Sequence, residues 1–62
     1  MNTANKIFKD SNGDSLTALL IGLDDIAETY EDDYIKEERI YHFADGSSLI
    51  MSGSDIKVSK IS

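Results

Sequence analysis

The chain has 62 residues, of which 40% are hydrophobic, no cysteine and a formal net charge of −6. Its length predicts one small domain, residues 1–62, of marginal stability. Without cysteine, neither disulfide bonds nor thiolate zinc sites can add to that stability. The longest apolar run, residues 18–21, is far shorter than the ~20 residues that cross a bilayer. We expect a cytoplasmic protein whose acidity disfavours direct contact with nucleic acid and anionic membranes.

The first predicted element is a helix within residues 14–30, capped by Asp14 or Ser15. Apolar residues recur there at the three- and four-residue steps of a helical face, at Leu16, Leu19, Leu20, Leu23, Ala27 and Tyr30. The alternative is a hairpin that pairs residues 6–9 with residues 15–21 across Asn12 and Gly13. The sequence leaves residues 1–13 open between helix, extended chain and disorder.

Residues 24–38, called the acidic stretch below, carry eight carboxylates against Lys36 alone, a net charge of −7. Such a concentrated field attracts a basic partner. A solvated surface that keeps the protein soluble is the alternative interpretation. Within the stretch, residues 31–36 are predicted to be a charged connector. The predicted partner-binding residues are Asp24, Asp25, Glu28, Glu31, Asp32, Asp33, Glu37 and Glu38.

After the acidic stretch the apolar period changes to two, which predicts strands near residues 38–43, 48–52 and 55–60. Asp45-Gly46 is a hairpin turn signal. A two-residue loop would pair Tyr41 with Ile50, whereas a three-residue loop with Gly46 as its bulge would pair Tyr41 with Leu49. The predicted fold is α+β, with one amphipathic helix packed on a three-stranded antiparallel sheet. One helix covers one sheet face and leaves apolar residues on the other.

The sequence predicts neither an enzyme nor a cofactor or metal site. It contains one histidine, no cysteine and no glycine-rich phosphate loop. His42 lies between two aromatic residues in a predicted strand, where a structural role is expected. The turn cluster at residues 10–14 does not fit a calcium loop. Counted from Asp10, its glycine is fourth rather than sixth, and the twelfth residue is Ile21 rather than glutamate.

Residues 40–53, I-Y-H-F-A-D-G-S-S-L-I-M-S-G, resemble a hairpin of a type I-F anti-CRISPR family that mimics DNA. In both, a helical acidic segment precedes the hairpin. The resemblance implies a helix-covered antiparallel sheet and binding to the CRISPR surveillance complex, whose basic DNA-receiving surface is occupied by acidic side chains. The shared residues are Tyr41, Phe43, Asp45, Ser47, Leu49, Ile50, Ser52 and Gly53.

We therefore expect an inhibitor of phage or mobile-element type that binds a basic nucleic-acid-binding complex in the bacterial host by presenting a DNA-mimicking acidic surface. The alternative is a small protein–protein interaction module, such as an antitoxin or immunity protein, that uses an apolar sheet face. The sequence leaves open the identity of the partner, the CRISPR type, and whether the chain is a monomer or a homodimer.

Overall fold

The computed structural model describes residues 2–59 and is α+β, as predicted. Within that range, four strands form one antiparallel sheet in the order β1-β2-β3-β4. Three helices pack on one of its faces, so the predicted single helix and three strands are an incomplete account. The elements are α1 (Thr3–Ser11), α2 (Ser15–Ile21), α3 (Leu23–Ile26), β1 (Thr29–Asp33), β2 (Glu38–His42), β3 (Ser48–Ser52) and β4 (Asp55–Ser59).

The first helix, α1, occupies residues whose conformation the sequence left open. The Asn2 side chain accepts a hydrogen bond from the amide of Asn5 at 2.8 Å and begins the helix. Asn12, with a φ of 55°, ends it in the left-handed region. Because α1 and α2 are both helical, the alternative hairpin between residues 6–9 and 15–21 is wrong.

The prediction of one helix across residues 14–30 is wrong in its second half. Asp14 does cap α2, since its carboxylate accepts a hydrogen bond from the amide of Thr17 at 2.8 Å. At Gly22, however, φ is +111°, which ends α2 in the left-handed region. The short α3 follows and ends at Ile26. The backbone beyond it becomes extended because it pairs with β2, and this pairing overrides the local helical periodicity.

The three predicted strands are confirmed, except that β2 ends one residue before Phe43 and that Lys60 lies outside the described residues. Tyr41 pairs with Leu49, which is the register of the three-residue loop. The amide of Phe43 donates to the carbonyl of Ser47 at 2.9 Å and closes that loop. Gly46 has a φ of +87°, as the bulge position requires. The hairpin is therefore fixed by its own turn.

The hydrophobic core lies between the sheet and the helices. Its buried residues are Ala4, Ile7, Ala18, Leu23, Tyr41, Phe43, Leu49 and Ile56. The opposite sheet face is open, as expected, and carries Ile40 directly across from Ile50, both half-buried. The apolar face predicted for one amphipathic helix within residues 14–30 is not buried as a whole, since Leu23 lies in the core but the leucines of α2 do not. α2 buries Ser15 and Ala18, while Leu16, Leu19 and Leu20 are exposed.

Candidate partner-binding surface

The acidic stretch lies along one edge of the sheet. Among residues 2–59, β1 pairs only with β2 and so forms one of the two edge strands of the sheet. The predicted connector at residues 31–36 is wrong, because half of it belongs to β1. We call the eight carboxylates of the stretch, in this arrangement, the acidic edge. Asp24 and Asp25 lie in α3, Glu28 just before β1, Glu31, Asp32 and Asp33 in β1, Glu37 in the turn that follows, and Glu38 at the start of β2.

The acidic edge presents carboxylates on both sides of the sheet. Side chains alternate along a strand, so Glu31 and Asp33 lie on the open face and Asp32 on the helix face. Cross-strand partners agree with this assignment, since Asp32 pairs with Arg39, two residues before the buried Tyr41. A helix, as predicted for the beginning of the stretch, would instead have aligned residues three and four apart.

Asp32 forms an ion pair on the helix face. Its two carboxylate oxygens accept hydrogen bonds from Nε and Nη2 of Arg39 at 2.7 and 3.3 Å. The guanidinium carbon of Arg39 also lies 4.4 Å from the centroid of the Tyr30 ring. The hydrogen bond to Asp32 raises the pKa of Arg39 above its usual range. Across residues 2–59, Asp32 is the one carboxylate of the acidic edge that contacts a lysine or arginine side chain.

Two further carboxylates of the acidic edge hold other side chains. Glu31 shares a hydrogen bond of 2.8 Å with Nε2 of His42, whose Nδ1 lies 3.0 Å from the Ser48 hydroxyl. Asp24 accepts a hydrogen bond from the Tyr41 hydroxyl at 2.9 Å. Burial raises the pKa of Tyr41, and the adjacent Asp24 carboxylate acts in the same direction. Both contacts tie the acidic edge to β2.

Asp33 organises the turn between β1 and β2. Its carboxylate accepts hydrogen bonds from the amides of Ile35 and Lys36, both at 3.1 Å. This local bonding is typical of aspartate at a turn. Neutral amide donors orient the carboxylate and leave its charge uncompensated.

Four carboxylates of the acidic edge are not engaged by the described part of the chain. They make no side-chain hydrogen bond or ion pair within residues 2–59, and three of them are exposed, while Glu38 is half-buried. A basic partner can therefore contact them without first breaking an internal bond. These residues are Asp25, Glu28, Glu37 and Glu38.

Two apolar side chains project from the acidic edge and were not predicted as part of the site. Tyr34 and Ile35, in the turn after β1, are 86% and 96% exposed. Their sequence signal was the presence of large apolar residues inside a run of charges. Tyr34 also lines a surface cavity of about 530 Å³, together with Asp32, Asp33, Glu37, Glu38, Arg39, Met51 and Gly53.

Among residues 2–59, no group of three histidine or acidic side chains is placed to hold a metal ion. None of the helices in that range is long and apolar enough to span a membrane. Comparisons of the chain with protein-family models, with curated proteins and with solved structures give no match.

Proposed function

We propose that this protein is an inhibitor, of phage or mobile-element type, that occupies the basic nucleic-acid-binding surface of a CRISPR surveillance complex with its acidic edge. The observation that supports the proposal is spatial. Eight carboxylates that are scattered over fifteen residues of sequence lie along a single edge strand and its two ends. Such a one-sided field steers the protein towards a basic surface.

The charge spacing supports mimicry of a nucleic-acid strand. Consecutive residues of a β-strand advance ~3.3 Å, so residues 31–33 place one carboxylate per ~3.3 Å. One strand of duplex DNA carries one phosphate per ~3.4 Å of axis. Over residues 31–33 the spacing of the carboxylates is thus close to that of the phosphates on one DNA strand. The other two residues of β1 are uncharged, Asp32 is paired with Arg39, and the three side chains alternate between the two faces of the sheet.

The internal contacts also support this role. A mimic gains affinity when its charges are held in place before binding, because less side-chain freedom is lost. Asp24, Glu31 and Asp33 are oriented by hydrogen bonds from a hydroxyl, an imidazole and two amides. None of these four hydrogen bonds comes from a lysine or arginine, so the negative charge of the three carboxylates remains available.

Charge on an edge strand has a second use, since it discourages pairing with other exposed strands. That role requires carboxylates on β1 itself. It does not require Asp25 and Glu28, which precede β1, or Glu37, which follows it. The extension of the acidic edge beyond both ends of the strand favours partner binding.

The test compares two charge-reversed variants of equal net charge. Glu28→Lys with Glu37→Lys alters unengaged residues at both ends of the acidic edge. Asp10→Lys with Asp55→Lys is the matched control, on exposed residues outside it. The experiment measures the displacement of target duplex from a purified type I-F surveillance complex, and an electrophoretic mobility shift detects the released duplex. We expect the first pair to weaken inhibition at least about tenfold, or 1.4 kcal/mol, and the control to retain it.

If both double variants lost inhibition equally, net charge rather than the acidic edge would determine binding. Salt provides an independent criterion. Affinity that rests on the acidic edge falls steeply as ionic strength rises. Inhibition by the wild type that persists unchanged at high salt contradicts the proposal.

The alternative function, an antitoxin- or immunity-type interaction module, rests on the open sheet face. Ile40 and Ile50 face each other there and are half-buried. Under this alternative, Ile40→Ser with Ile50→Ser abolishes partner binding, whereas the Glu28 and Glu37 reversal does not. Under the proposed function the two variants behave in the opposite way.

A further inference from the structure

The two edges of the sheet differ in whether their backbone is covered. β4 forms the edge opposite β1. The amide of Ile56 in β4 points outward and donates to the carbonyl of Gly13 at 2.9 Å, and Asp14 forms a bridge with Asp55. The loop between α1 and α2 therefore covers part of the β4 edge. Within residues 2–59 no backbone segment pairs with the outer side of β1, so β1 is the open edge.

The inner strand β2 uses alternate residues to bond its two neighbours. In an antiparallel sheet, successive residues of an inner strand direct their backbone groups to opposite sides. The amide of Phe43 donates to the carbonyl of Ser47 at 2.9 Å, so Tyr41, two residues earlier, also bonds towards β3. His42 bonds towards β1 instead, since its carbonyl accepts a hydrogen bond from the amide of Glu28 at 2.8 Å.

The outward backbone groups of β1 belong to Tyr30 and Asp32. The same alternation places Ile40 among the residues of β2 that bond towards β1, and Glu31 lies opposite Ile40. The residues on either side of Glu31 therefore point their amides and carbonyls away from β2. In the part of the chain that the structure describes, these groups have no backbone partner on the outer side. They are available to pair with another strand.

Charge determines which kind of strand can pair with β1. Glu31 and Asp33 lie on the open face of the sheet at a two-residue step, and within residues 2–59 neither contacts a lysine or arginine. Side chains of an incoming strand repeat at the same two-residue step and lie beside these carboxylates. Basic side chains at alternate positions are therefore attracted. A second copy of β1 would instead place carboxylates beside carboxylates, which is destabilising.

We propose that β1 binds an extended basic segment of its partner, which adds to the four-stranded sheet as a further strand and carries lysine or arginine at alternate positions. In strand addition of this kind, main-chain hydrogen bonds supply affinity and alternate side chains supply specificity. The proposal rests on the proposed function for the identity of the partner, and it adds the conformation and the charge spacing of the segment that the acidic edge contacts.

The test is backbone amide exchange of the full chain, followed by NMR with and without a peptide probe. The probe has about ten residues, the length of a long strand, and lysine alternates with threonine along it. We expect it to slow exchange of the Tyr30 and Asp32 amides at least about tenfold. The amide of Ile56, which is already bonded to Gly13, should be unchanged. The control probe is the same peptide N-methylated at successive central amides, which keeps every charge and removes the donors that strand pairing needs.

A matched pair of variants tests the same edge from the side of the protein. Tyr30→Pro removes an outward amide without removing a hydrogen bond to β2, and an edge strand accepts proline at such a position. Tyr30→Thr removes the same ring and keeps the amide. We expect Tyr30→Pro to bind the probe at least about tenfold more weakly than Tyr30→Thr in calorimetry. Far-UV circular dichroism checks that both variants are folded, and if Tyr30→Pro is not, the N-methylated probe decides.

Unchanged exchange of the Tyr30 and Asp32 amides in the presence of bound probe overturns the proposal. So does equal protection by the N-methylated probe, or equal binding by the two folded variants. The proposed function fails separately. Inhibition that is lost in the Glu28 and Glu37 reversal but equal in Tyr30→Pro and Tyr30→Thr supports the proposed function and overturns strand addition. Protection of both amides by the probe, without inhibition of the surveillance complex by the wild type, supports strand addition and contradicts the proposed function.

Discussion

The carboxylate of Asp45, in the turn between β2 and β3, accepts hydrogen bonds from both the amide and the hydroxyl of Thr3, at 2.7 and 2.8 Å. Thr3 is the first residue of α1, forty-two positions earlier in the chain. The neighbouring Ser47 hydroxyl accepts from the amide of Ala4 at 3.1 Å. The hairpin turn thus satisfies helix amides that have no partner within α1, and it fixes one end of α1 on the sheet.

Substitution of Asp45 by asparagine should lower stability near neutral pH. The hydrogen bonds from Ser47 and Thr3 hold the pKa of Asp45 well below its usual range. A depressed pKa contributes stability above the unfolded value of about 3.9, and that contribution is lost as pH falls. The free energy of unfolding measured in urea should therefore be lower for Asp45→Asn than for the wild type at pH 7, and this difference should become smaller towards pH 2.

The control for this experiment is Asp10→Asn, which alters an exposed acidic residue with no side-chain partner in residues 2–59. Asp14, whose pKa is also lowered by its bond with Thr17, is retained in every variant. Its contribution therefore cancels in the comparison. A difference in the free energy of unfolding that is constant with pH would mean that the charge of the Asp45 carboxylate does not stabilise α1.

Gly46→Val should destabilise the domain by about 1–2 kcal/mol, the cost of a left-handed backbone for a residue with a β-carbon. At Gly46 φ is +87°, and an added β-carbon would meet no atom within 4 Å. The loss therefore arises from backbone strain rather than a clash. Asparagine tolerates the left-handed region better than valine, so Gly46→Asn should lower the stability less, as measured by thermal unfolding. Equal losses in the two variants would indicate a steric cause.

Tyr41→Phe should cost about 0.5–1.5 kcal/mol at pH 7, since it deletes one intramolecular hydrogen bond, the bond to Asp24. Because the pKa of Tyr41 is raised, the substitution also changes how stability depends on pH in the alkaline range. Stability from a raised pKa is present below the unfolded value of about 10 and is lost as pH rises through the folded one. Unfolding free energy should fall above pH 10 more steeply in wild type than in Tyr41→Phe. Tyr34→Phe, at an exposed site, should keep the wild-type slope.

Asp32→Lys should lower the melting temperature more than Glu37→Lys, although both make the same charge change. The new lysine would lie beside Arg39 and replace an ion pair with repulsion between two cations. Glu37 lies in the exposed turn and has no side-chain partner within residues 2–59. If Asp32 lay in an exposed connector, as the sequence predicts, its substitution would be expected to cost no more than that of Glu37. Equal melting temperatures would show that the ion pair with Arg39 contributes nothing to the fold.

The hairpin of β2 and β3 could be predicted because its information is local. Alternating apolar residues flank Asp45-Gly46, and Gly46 supplies the positive φ of the three-residue loop. β1 could not be predicted in the same way. Thr29–Asp33 is exposed except at Asp33, so it lacks the apolar alternation that marks a half-buried strand. Its strand conformation comes from pairing with β2.

The same distinction, between what local sequence indicates and what pairing with a distant strand decides, applies to the candidate site. The concentration of charge in residues 24–38 could be found by counting, but the positions of the carboxylates depended on β1. Asp32 and Asp33 were expected to lie in a charged connector. In the sheet, Asp32 is opposite Arg39 and Asp33 holds the turn, because a strand places neighbouring residues on opposite faces.

The sequence by itself determined the α+β class, the position of the hairpin turn and the location of the negative charge, since each follows from residues near one another in the chain. It left the hairpin register open between Tyr41–Ile50 and Tyr41–Leu49, and the structure has the second. Only the tertiary structure decided which apolar face of the helical region is buried. α1 packs on β3 and β4, and α2 packs mainly against α1. Because α1 covers the sheet where the leucines of α2 were expected to pack, Leu16 and Leu20 are left on the surface. That competition between two helices for one sheet face involves contacts between distant residues, which periodicity within a single helix does not encode.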